Sequence, residues 1–283
     1  MKLAGKIALI TGANGAIGSM IARAYLAEGS TVILVGRSKE ALEKIQIELS
    51  SYGNTVLYQA NVSSPQDIQA TFSSIQDRYG RLDILVTAAG VYGEIGTLEQ
   101  CAPECWLEAI MVNLFGTMLC VRSALPLLRK SNGGKIITFA GGGDGSLPHF
   151  SSYASSKGAV LRFTESVAAE LAGSTITINA ISPGLVNSGF VQDLLKAGEE
   201  RAGKQKYQEA QRQLAGEGDA VSPEKAAELA VFLASKESNG LTGKNISAVW
   251  DHYEDIPSHL AEIMKSDVYN WRRIKPKDRG YDW

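Results

Sequence analysis

Short apolar runs alternate with longer amphipathic stretches along most of the chain, and this alternation limits the folds that the sequence can adopt. Each run is rich in valine and isoleucine and has the length of a strand that is buried on both faces. The stretches between the runs have helical periodicity. We predict strands over residues 7–11, 31–36, 55–60, 82–88, 135–140, 175–181 and 245–249.

Repeated alternation of strand and helix predicts parallel strands joined by right-handed crossovers, which form a doubly wound α/β sheet in a three-layer domain. We assign this single domain to residues 1–250, with a polar substrate lobe at 187–221 and a C-terminal tail at 251–283. Ligands of such sheets bind beyond the carboxyl ends of the strands. The residues that follow each predicted strand are therefore the candidates for function.

Composition argues against several other classes of protein. A formal net charge of -2 gives no support for a nucleic-acid or membrane partner. Cys101, Cys105 and Cys120 do not have the number or spacing of a disulfide framework or a metal site, so we predict no metal. The amino terminus lacks the features of a signal peptide, and no stretch looks apolar for long enough to span a bilayer. We therefore expect a cytoplasmic protein.

The first predicted strand leads into a turn of small residues, and a helix follows. Small residues let the backbone turn tightly and approach a pyrophosphate, which then sits at the positive end of the helix. The place of this turn, after the first strand of an alternating chain, favours a dinucleotide site over a plain turn. The candidate cofactor-binding residues here are Gly12, Asn14, Gly15, Ala16, Ile17 and Gly18.

The ends of the next three strands supply further candidates for the cofactor site. The second strand ends without an acid that would bond the ribose diol of NAD, whereas Arg37 can pair with the 2′-phosphate of NADP. We therefore favour NADP(H), with NAD(H) and a merely solvated arginine as the alternatives. After the third strand, Asn61 either bonds the adenine edge or forms a local Asx turn. The remaining candidates are Val62, Ala88, Ala89 and Gly90.

Tyr153 and Lys157 lie four residues apart on a helix predicted to follow the fifth strand, so their side chains share one face. A phenol titrates near pH ~10, and a neighbouring ammonium lowers its pKa by favouring the phenolate. Such a tyrosine can give a proton to a carbonyl oxygen while hydride arrives at the carbon. The pair therefore predicts an acid/base function.

Taken together, these motifs resemble the short-chain dehydrogenase/reductase family in its single-domain form. The resemblance covers about residues 5–250 and also includes Asn113 and the Pro183-Gly184 pair, all in the family's order. It implies a Rossmann-like sheet of seven strands and a homotetramer or dimer. It also implies an NAD(P)-dependent oxidoreductase that interconverts a small-molecule ketone or aldehyde and an alcohol.

The resemblance assigns roles to individual residues. Tyr153 is the general acid/base, Lys157 holds the nicotinamide ribose, and Asn113 holds a water that links Lys157 to solvent. The alternative for Asn113 is a helix amide that bonds only the backbone. The segment after the sixth strand borders the nicotinamide, with the hydroxyl of Ser188 as a candidate for its carboxamide. The cofactor candidates in that segment are Pro183, Gly184, Val186 and Ser188.

The sequence departs from the family pattern at four places. Ala16 stands where the second motif glycine is usual, Asn61 replaces an aspartate, and a long tail follows the last strand. We expect this tail to pack on the body or to cover the substrate pocket of a neighbouring subunit. The fourth departure is Gly141, which stands at the position of the catalytic serine when the chain is aligned by its fifth strand. Loss of one such donor can cost several kcal/mol of transition-state stabilisation.

Several groups can compensate for the absent serine. The substrate can supply its own hydroxyl, or a nearby side chain can act, and the candidate side chains are Ser146, His149, Ser151 and Ser152. The glycines can also make room for a bulky or polar substrate, whose contacts would then come from Gly141, Gly142, Asp144 and His149.

Two other functions stay open at the level of sequence. Without the serine, the chain can be a non-catalytic dinucleotide-binding sensor or assembly subunit. It can also be an epimerase or dehydratase with tightly held NAD, although such proteins usually have a longer C-terminal domain. The presence of Tyr153, Lys157 and Asn113 favours an active carbonyl reductase or alcohol dehydrogenase.

Overall fold

The computed structural model describes residues 1–142, 145–217 and 220–283. Its strands are β1 Ile7–Thr11, β2 Thr31–Gly36, β3 Thr55–Gln59, β4 Ile84–Thr87, β5 Lys135–Phe139, β6 Thr177–Ser182 and β7 Asn245–Ser247. They form one parallel sheet in the order β3-β2-β1-β4-β5-β6-β7. The predicted doubly wound, seven-stranded sheet is confirmed, with strand ends within two residues of those expected.

The helices between the strands begin where the sequence places capping residues. Ser38 accepts a hydrogen bond from the backbone N–H of Ala41, and Ser64 accepts one from Asp67, at 3.1 and 3.2 Å. A π-helical segment, Ile110–Phe115, joins the fourth helix to the fifth. The α-helices are α1 Ala16–Ala27, α2 Lys39–Leu49, α3 Pro65–Tyr79, α4 Pro103–Ala109, α5 Gly116–Leu128, α6 Ser151–Glu170, α7 Gly189–Ala202, α8 Lys204–Leu214, α9 Pro223–Ala234 and α10 Ile256–Lys265.

Alternate residues of each strand pack into two cores, one on each face of the sheet. In β1, Ala8 and Ile10 lie in the core formed with α1 and α9, whereas Ile7 and Leu9 lie in the core formed with α3 and α5. This follows from the two-residue period of a strand, whose successive side chains point to opposite faces. Full burial of each large aliphatic side chain contributes roughly 1.5–3 kcal/mol. The three-layer architecture therefore follows directly from strands that are apolar on both faces.

A crevice opens where the strand order reverses. β1 pairs with β2 on one side and with β4 on the other, so the chain winds away from β1 in both directions. Loops that leave the carboxyl ends of two such strands diverge to opposite faces of the sheet. The candidate residues after β1, β4 and β5 consequently lie close together at the carboxyl ends of the strands.

One helical stretch among the described residues, Pro103–Leu128, has the length and composition of a membrane span. The expectation that no stretch reaches this length was wrong, because the π-helical segment joins two shorter helices into one. Half of its most apolar window is buried in the protein, where α5 packs against α3 and β4. Core helices of water-soluble proteins have the same character, so length and composition do not make this helix a membrane anchor.

The tail packs along the outer edge of β7. The backbone N–H of Asn245 donates to the carbonyl of Tyr269 at 2.9 Å, which gives this edge strand a partner. Farther on, Trp271 lies against Gly158 of α6, where a Cβ would come within 3.0 Å of the indole ring. Glu165 of α6 accepts a hydrogen bond from the backbone N–H of Trp271 at 2.8 Å. The tail therefore runs from the edge of the sheet onto α6.

Candidate active site

The glycine-rich turn after β1 has no room for side chains at two positions. Gly12 has a φ of +64°, a left-handed conformation that favours glycine, and a Cβ there would lie 2.7 Å from the backbone of Ala89. A Cβ on Gly18 would overlap the carbonyl oxygen of Gly12. The turn therefore holds the end of β1, the start of α1 and the loop after β4 in one tight junction.

The amino-terminal end of α1 faces this junction with its backbone N–H groups. Gly15 is the N-cap, and the first turn begins with the half-buried Ala16 and Ile17, whose apolar side chains leave those N–H groups uncompensated. Such a helix end attracts anions. Asn14 joins the turn to the end of β2, since its Oδ1 lies 2.7 Å from the position of a Cβ on Gly36. The geometry fits the pyrophosphate of a dinucleotide.

A cavity of about 420 Å³ lies beside the ends of β2 and β3. The exposed Arg37 lines it, and its carbonyl accepts a hydrogen bond from Gln59 at 3.0 Å. Asn61 also lines it, but its Oδ1 accepts from the backbone and hydroxyl of Ser63 at 3.2 and 2.7 Å. Asn61 thus forms the Asx turn that was the alternative to an adenine contact. Val62 is buried, and its side chain contacts the start of α5 instead.

Asn113 ties the loop after β4 to helix α6. It is buried in the π-helical segment, where its Oδ1 accepts from the N–H of Val91 and its Nδ2 donates to the carbonyl of Val91, both at 2.9 Å. The same Nδ2 donates to the hydroxyl of Ser156 at 2.8 Å, and that hydroxyl donates to the carbonyl of Tyr153 at 2.7 Å. The side chain of Asn113 therefore bonds protein groups that position α6.

The loop that Asn113 holds forms a wall of small residues. The N–H of Ala89 donates to the hydroxyl of Thr11 at 3.3 Å, which fixes Ala88 and Ala89 beside the end of β1. A Cβ on Gly90 would lie 3.3 Å from Oδ1 of Asn113 and 3.7 Å from Nζ of Lys157. The structure thus brings the loop after β4 directly to the lysine of the predicted catalytic pair.

Tyr153 and Lys157 share one buried face of α6, as their spacing predicts. Nζ of Lys157 donates to the carbonyl of Phe139 at 3.0 Å and lies 6.0 Å from the centroid of the Tyr153 ring. Burial lowers the pKa of Lys157 to about 8. Burial, with a smaller contribution from Tyr92, raises the pKa of Tyr153 above its ordinary value. The lowering expected from the ammonium is not found, because desolvation of the phenol dominates.

An aromatic cluster surrounds Tyr153, and we define it as Tyr92, Phe150, Tyr153 and Phe190. The ring of Tyr92 meets the ring of Tyr153 edge to face, with centroids 4.9 Å apart. It also packs against Phe190 of α7 at 4.3 Å and against Phe150 at 5.2 Å. Three separate segments of the chain form this cluster, so no local sequence pattern signals it. Tyr92, Phe150 and Phe190 were therefore not predicted from the sequence as residues of the site.

The segment after β6 closes the site on the other side. Gly184, which follows Pro183, has a φ of +78°, and a Cβ there would lie 2.7 Å from the side chain of Val249. Val186 is buried and pairs with Val221 in a parallel bridge. Ser188 caps α7, where its hydroxyl accepts from the N–H of Phe190 at 3.4 Å. The cap places Ser188 next to the aromatic cluster.

The model of the family described as short chain dehydrogenase matches residues 6–199. This match covers the glycine-rich turn, Asn113 and the pair on α6, which the structure brings to one edge of the sheet. The chain belongs to the short-chain dehydrogenase family. It is an oxidoreductase that uses a nicotinamide dinucleotide to interconvert carbonyl and alcohol groups, as the resemblance implied.

Relatives and solved structures match this short-chain dehydrogenase over most of its length. A 3-oxoacyl-[acyl-carrier-protein] reductase of Thermotoga maritima is 32% identical, over 87% of this chain and 97% of that protein. NAD+-bound xylitol dehydrogenase superposes with a TM-score of 0.80 at 25% identity, over 87% and 98% of the two chains. An actinorhodin polyketide ketoreductase with NADPH gives a TM-score of 0.77 at 27% identity, over 86% and 95%. The last two proteins bind different nicotinamide dinucleotides.

Gly141 is the residue expected at the position of the family's serine. It follows β5 directly, and a Cβ there would overlap the hydroxyl of Tyr153 and lie 3.0 Å from its Cζ. Position 141 therefore lies directly beside the phenol of Tyr153. The phenol occupies the space that a side chain at position 141 would need.

The other candidate residues that follow β5 make different contacts. Ser151 accepts a hydrogen bond from the indole of Trp106 at 3.0 Å, and Ser152 donates to the carbonyl of Tyr92 at 3.1 Å, so both hydroxyls are used structurally. Gly142 has a φ of +86° and contacts α6. His149 packs its ring against Gly203, between α7 and α8. Asp144 lies outside the described residues.

Proposed function

We propose that this short-chain dehydrogenase prefers NADPH and reduces a small-molecule ketone or aldehyde, with Tyr153 as the general acid/base. The observation that carries the proposal is the convergence of Tyr153, Lys157 and Gly90 at the carboxyl edge of the sheet, next to the glycine-rich turn. A proton donor thereby lies beside the space where a dinucleotide would extend from the turn towards β5. Asn113 bonds the loop after β4 through Val91 and helix α6 through Ser156, so it holds these two elements together.

The cofactor, when bound, supplies the hydride that is added to the carbonyl carbon. Its pyrophosphate would lie at the amino-terminal end of α1, held by the turn from Gly12 to Gly18. The walls of the site would be Ala88, Ala89 and Gly90 on one side and the segment from Pro183 to Ser188 on the other. Lys157 lies close enough to Gly90 to bind the nicotinamide ribose once its ammonium leaves the carbonyl of Phe139.

The raised pKa of Tyr153 suits proton donation. A phenol that resists ionisation stays protonated at neutral pH, which is the state that gives a proton to a carbonyl oxygen in reduction. The phenolate left behind takes a proton from Lys157 or from solvent. With its pKa lowered to about 8, Lys157 exchanges protons readily near neutral pH. Asn113 keeps α6 in register with the loop after β4 during this exchange.

Arg37 supports the preference for NADPH. It is exposed at the rim of the cavity beside β2, where a 2′-phosphate on the adenosine ribose would lie. A guanidinium can form charge-assisted hydrogen bonds with a phosphate, and these are stronger than the hydrogen bonds that a neutral side chain would form. The adenine itself would rest near Asn61 and Val62.

The proposed organisation is a catalytic domain at 1–250, a substrate lobe at 187–221 and a tail at 251–283, assembled as a homotetramer or dimer in the cytoplasm. The side chains of Leu114 and Met118, on the apolar helix 103–128, are only half-buried in a single chain. This partly exposed apolar surface supports assembly. Free Cys101, Cys105 and Cys120 support a reducing compartment. Light scattering on the purified protein tests the assembly.

The test of the proposed function titrates the purified protein with NADPH and NADH, followed by cofactor fluorescence, and assays a panel of ketones. We expect tighter binding of NADPH than of NADH, and turnover that Tyr153→Phe abolishes. Binding without turnover of any carbonyl compound or alcohol would favour a non-catalytic dinucleotide sensor. Failure to bind either cofactor would contradict the proposal.

A further inference from the structure

Reduction of a carbonyl places negative charge on its oxygen, and donors aimed at that oxygen stabilise the transition state. At the position of the family's serine, this chain has Gly141, which has no hydroxyl. Ser151 and Ser152 are engaged elsewhere, with Trp106 and with the carbonyl of Tyr92. Within the part of the chain that the structure describes, other polar groups near Tyr153 are therefore candidates for a second donor.

Tyr92 is a polar side chain that packs on the ring of Tyr153. The two ring centroids are 4.9 Å apart with planes at 72°, so the edge of one ring meets the face of the other. The two phenol rings thus lie in contact with each other at the carboxyl edge of the sheet.

The backbone around Tyr92 is fixed on both sides. Asn113 bonds both the N–H and the carbonyl of Val91, the preceding residue. Ser152 donates to the carbonyl of Tyr92 at 3.1 Å. Gly93 has a φ of +67°, and a Cβ there would lie 2.8 Å from Ala109. A donor on so constrained a segment is preorganised, as transition-state stabilisation requires.

Tyr92 is also kept in its donor form. Burial, together with the charge of Asp193 on α7, raises its pKa to about 12. Its hydroxyl therefore carries a proton over the whole physiological range. The ring is held in place by Phe190, whose centroid lies 4.3 Å away, and by Phe150.

We propose that Tyr92 donates a second hydrogen bond to the substrate oxygen, beside Tyr153, in place of the hydroxyl that Gly141 lacks. This inference rests on the proposed reductase function. In the reaction, the carbonyl carbon gains hydride from the reduced dinucleotide, and the carbonyl oxygen gains the proton of Tyr153. Tyr92 keeps its own proton throughout and stabilises the charge on the oxygen. The phenolate of Tyr153 is then reprotonated through Lys157.

The test compares Tyr92→Phe with the full-length wild-type protein in steady-state ketone reduction. The variant deletes one oxygen and keeps the ring packing of the aromatic cluster. We expect kcat to fall by roughly 10²–10³-fold, the usual loss for one oxyanion donor, with KM and the Kd for NADPH changed less than about threefold. The matched control is Tyr79→Phe, a half-buried tyrosine at the end of α3, which should keep wild-type kcat.

A structural role for Tyr92 would give a different result, because it would lower the melting temperature and alter cofactor affinity without a selective loss of kcat. Equal kcat values for Tyr92→Phe, Tyr79→Phe and wild type would overturn the inference and leave the reductase function standing. A wild-type protein that binds no dinucleotide, or reduces no ketone in the panel, would overturn the proposed function and this inference with it. A selective loss of kcat supports both.

Discussion

The Cβ that Gly141 lacks would overlap the hydroxyl of Tyr153. The phenol of Tyr153 therefore lies against the backbone at the end of β5, in the space that a side chain would fill. The ring of Tyr153 packs against the rings of Tyr92 and Phe190, and no serine stands at position 141 beside it. The geometry of the proposed proton donor in this chain thus depends on a glycine.

Restoring the family's serine should consequently impair the enzyme. We expect Gly141→Ser to displace Tyr153 and lower kcat by at least about tenfold, since a small misplacement of a catalytic group can cost up to about 10²-fold. Gly145→Ala is the matched control, because a Cβ at Gly145 meets open space. Steady-state kinetics of both variants check this prediction. A rise in kcat for Gly141→Ser would contradict it.

Removal of the phenol oxygen should stop turnover while the cofactor site survives. We expect Tyr153→Phe to lower kcat by about 10²–10⁴-fold, the range for loss of a general acid. The Kd for NADPH should stay within about threefold, because the glycine-rich turn and Arg37 are untouched. Turnover assays and cofactor fluorescence on the same preparation give both values. A variant that retains more than a tenth of the activity would exclude Tyr153 as the proton donor.

Cofactor affinity should depend on pH through Lys157. In the free protein the pKa of this lysine is about 8, so above that pH the ammonium that would bind the ribose is progressively lost. We expect the Kd for NADPH to rise above about pH 8, with a limiting slope of about tenfold per pH unit. Fluorescence titrations at a series of pH values from about 6.5 to about 9.5, which bracket the pKa of Lys157, measure this rise.

The control for this pH dependence is a lysine with a similar pKa that lies elsewhere. Burial lowers the pKa of Lys135 to about 8 too, but Lys135 is at the start of β5 and bonds Ser238 and Asn239. Lys135→Met should retain the rise in Kd, and Lys157→Met should abolish it. A rise that persists in Lys157→Met would assign the titration to another group.

Arg37 should discriminate between the two dinucleotides. We expect Arg37→Ala to weaken NADPH binding by roughly 10–100-fold, which corresponds to the loss of charge-assisted hydrogen bonds worth about 1.5–3 kcal/mol. NADH binding should change little, since NADH has no 2′-phosphate. Lys44→Ala, an exposed lysine on α2, is the control for a change in surface charge. Equal losses for both cofactors would contradict the role given to Arg37.

The tail should detach when Lys244, the residue just before β7, no longer anchors it. Lys244 is buried, and its Nζ donates to the carbonyls of Ser266 and Val268, both at 2.9 Å, and to Asn270 at 2.7 Å. We expect Lys244→Met to destabilise the protein by about 1–3 kcal/mol, because those acceptors lose their donor. Thermal melting and limited proteolysis after α10 measure the effect, with exposed Lys236→Met as control. Unchanged proteolysis would show that other contacts hold the tail.

The sheet and the order of the motifs along it follow from the sequence alone. Apolar runs on both faces of each strand, and a helical period between them, are local patterns, so β1 to β7 and the turn at Gly12 could be predicted. The spacing of Tyr153 and Lys157 likewise places both on one helix face. The membrane-like length of helix 103–128 was missed, because a π-helical segment leaves no clear pattern in the sequence.

Which residues meet at the site depends on the tertiary fold. Tyr92 and Phe190 are nearly a hundred residues apart, and they pack on Tyr153 because three loops end at the same edge of the sheet. Lys157 bonds the carbonyl of Phe139, and burial is the largest cause of the pKa shifts of both Tyr153 and Lys157, the proposed catalytic pair. Such contacts and desolvation depend on packing between distant segments, for which a linear sequence holds no local signal.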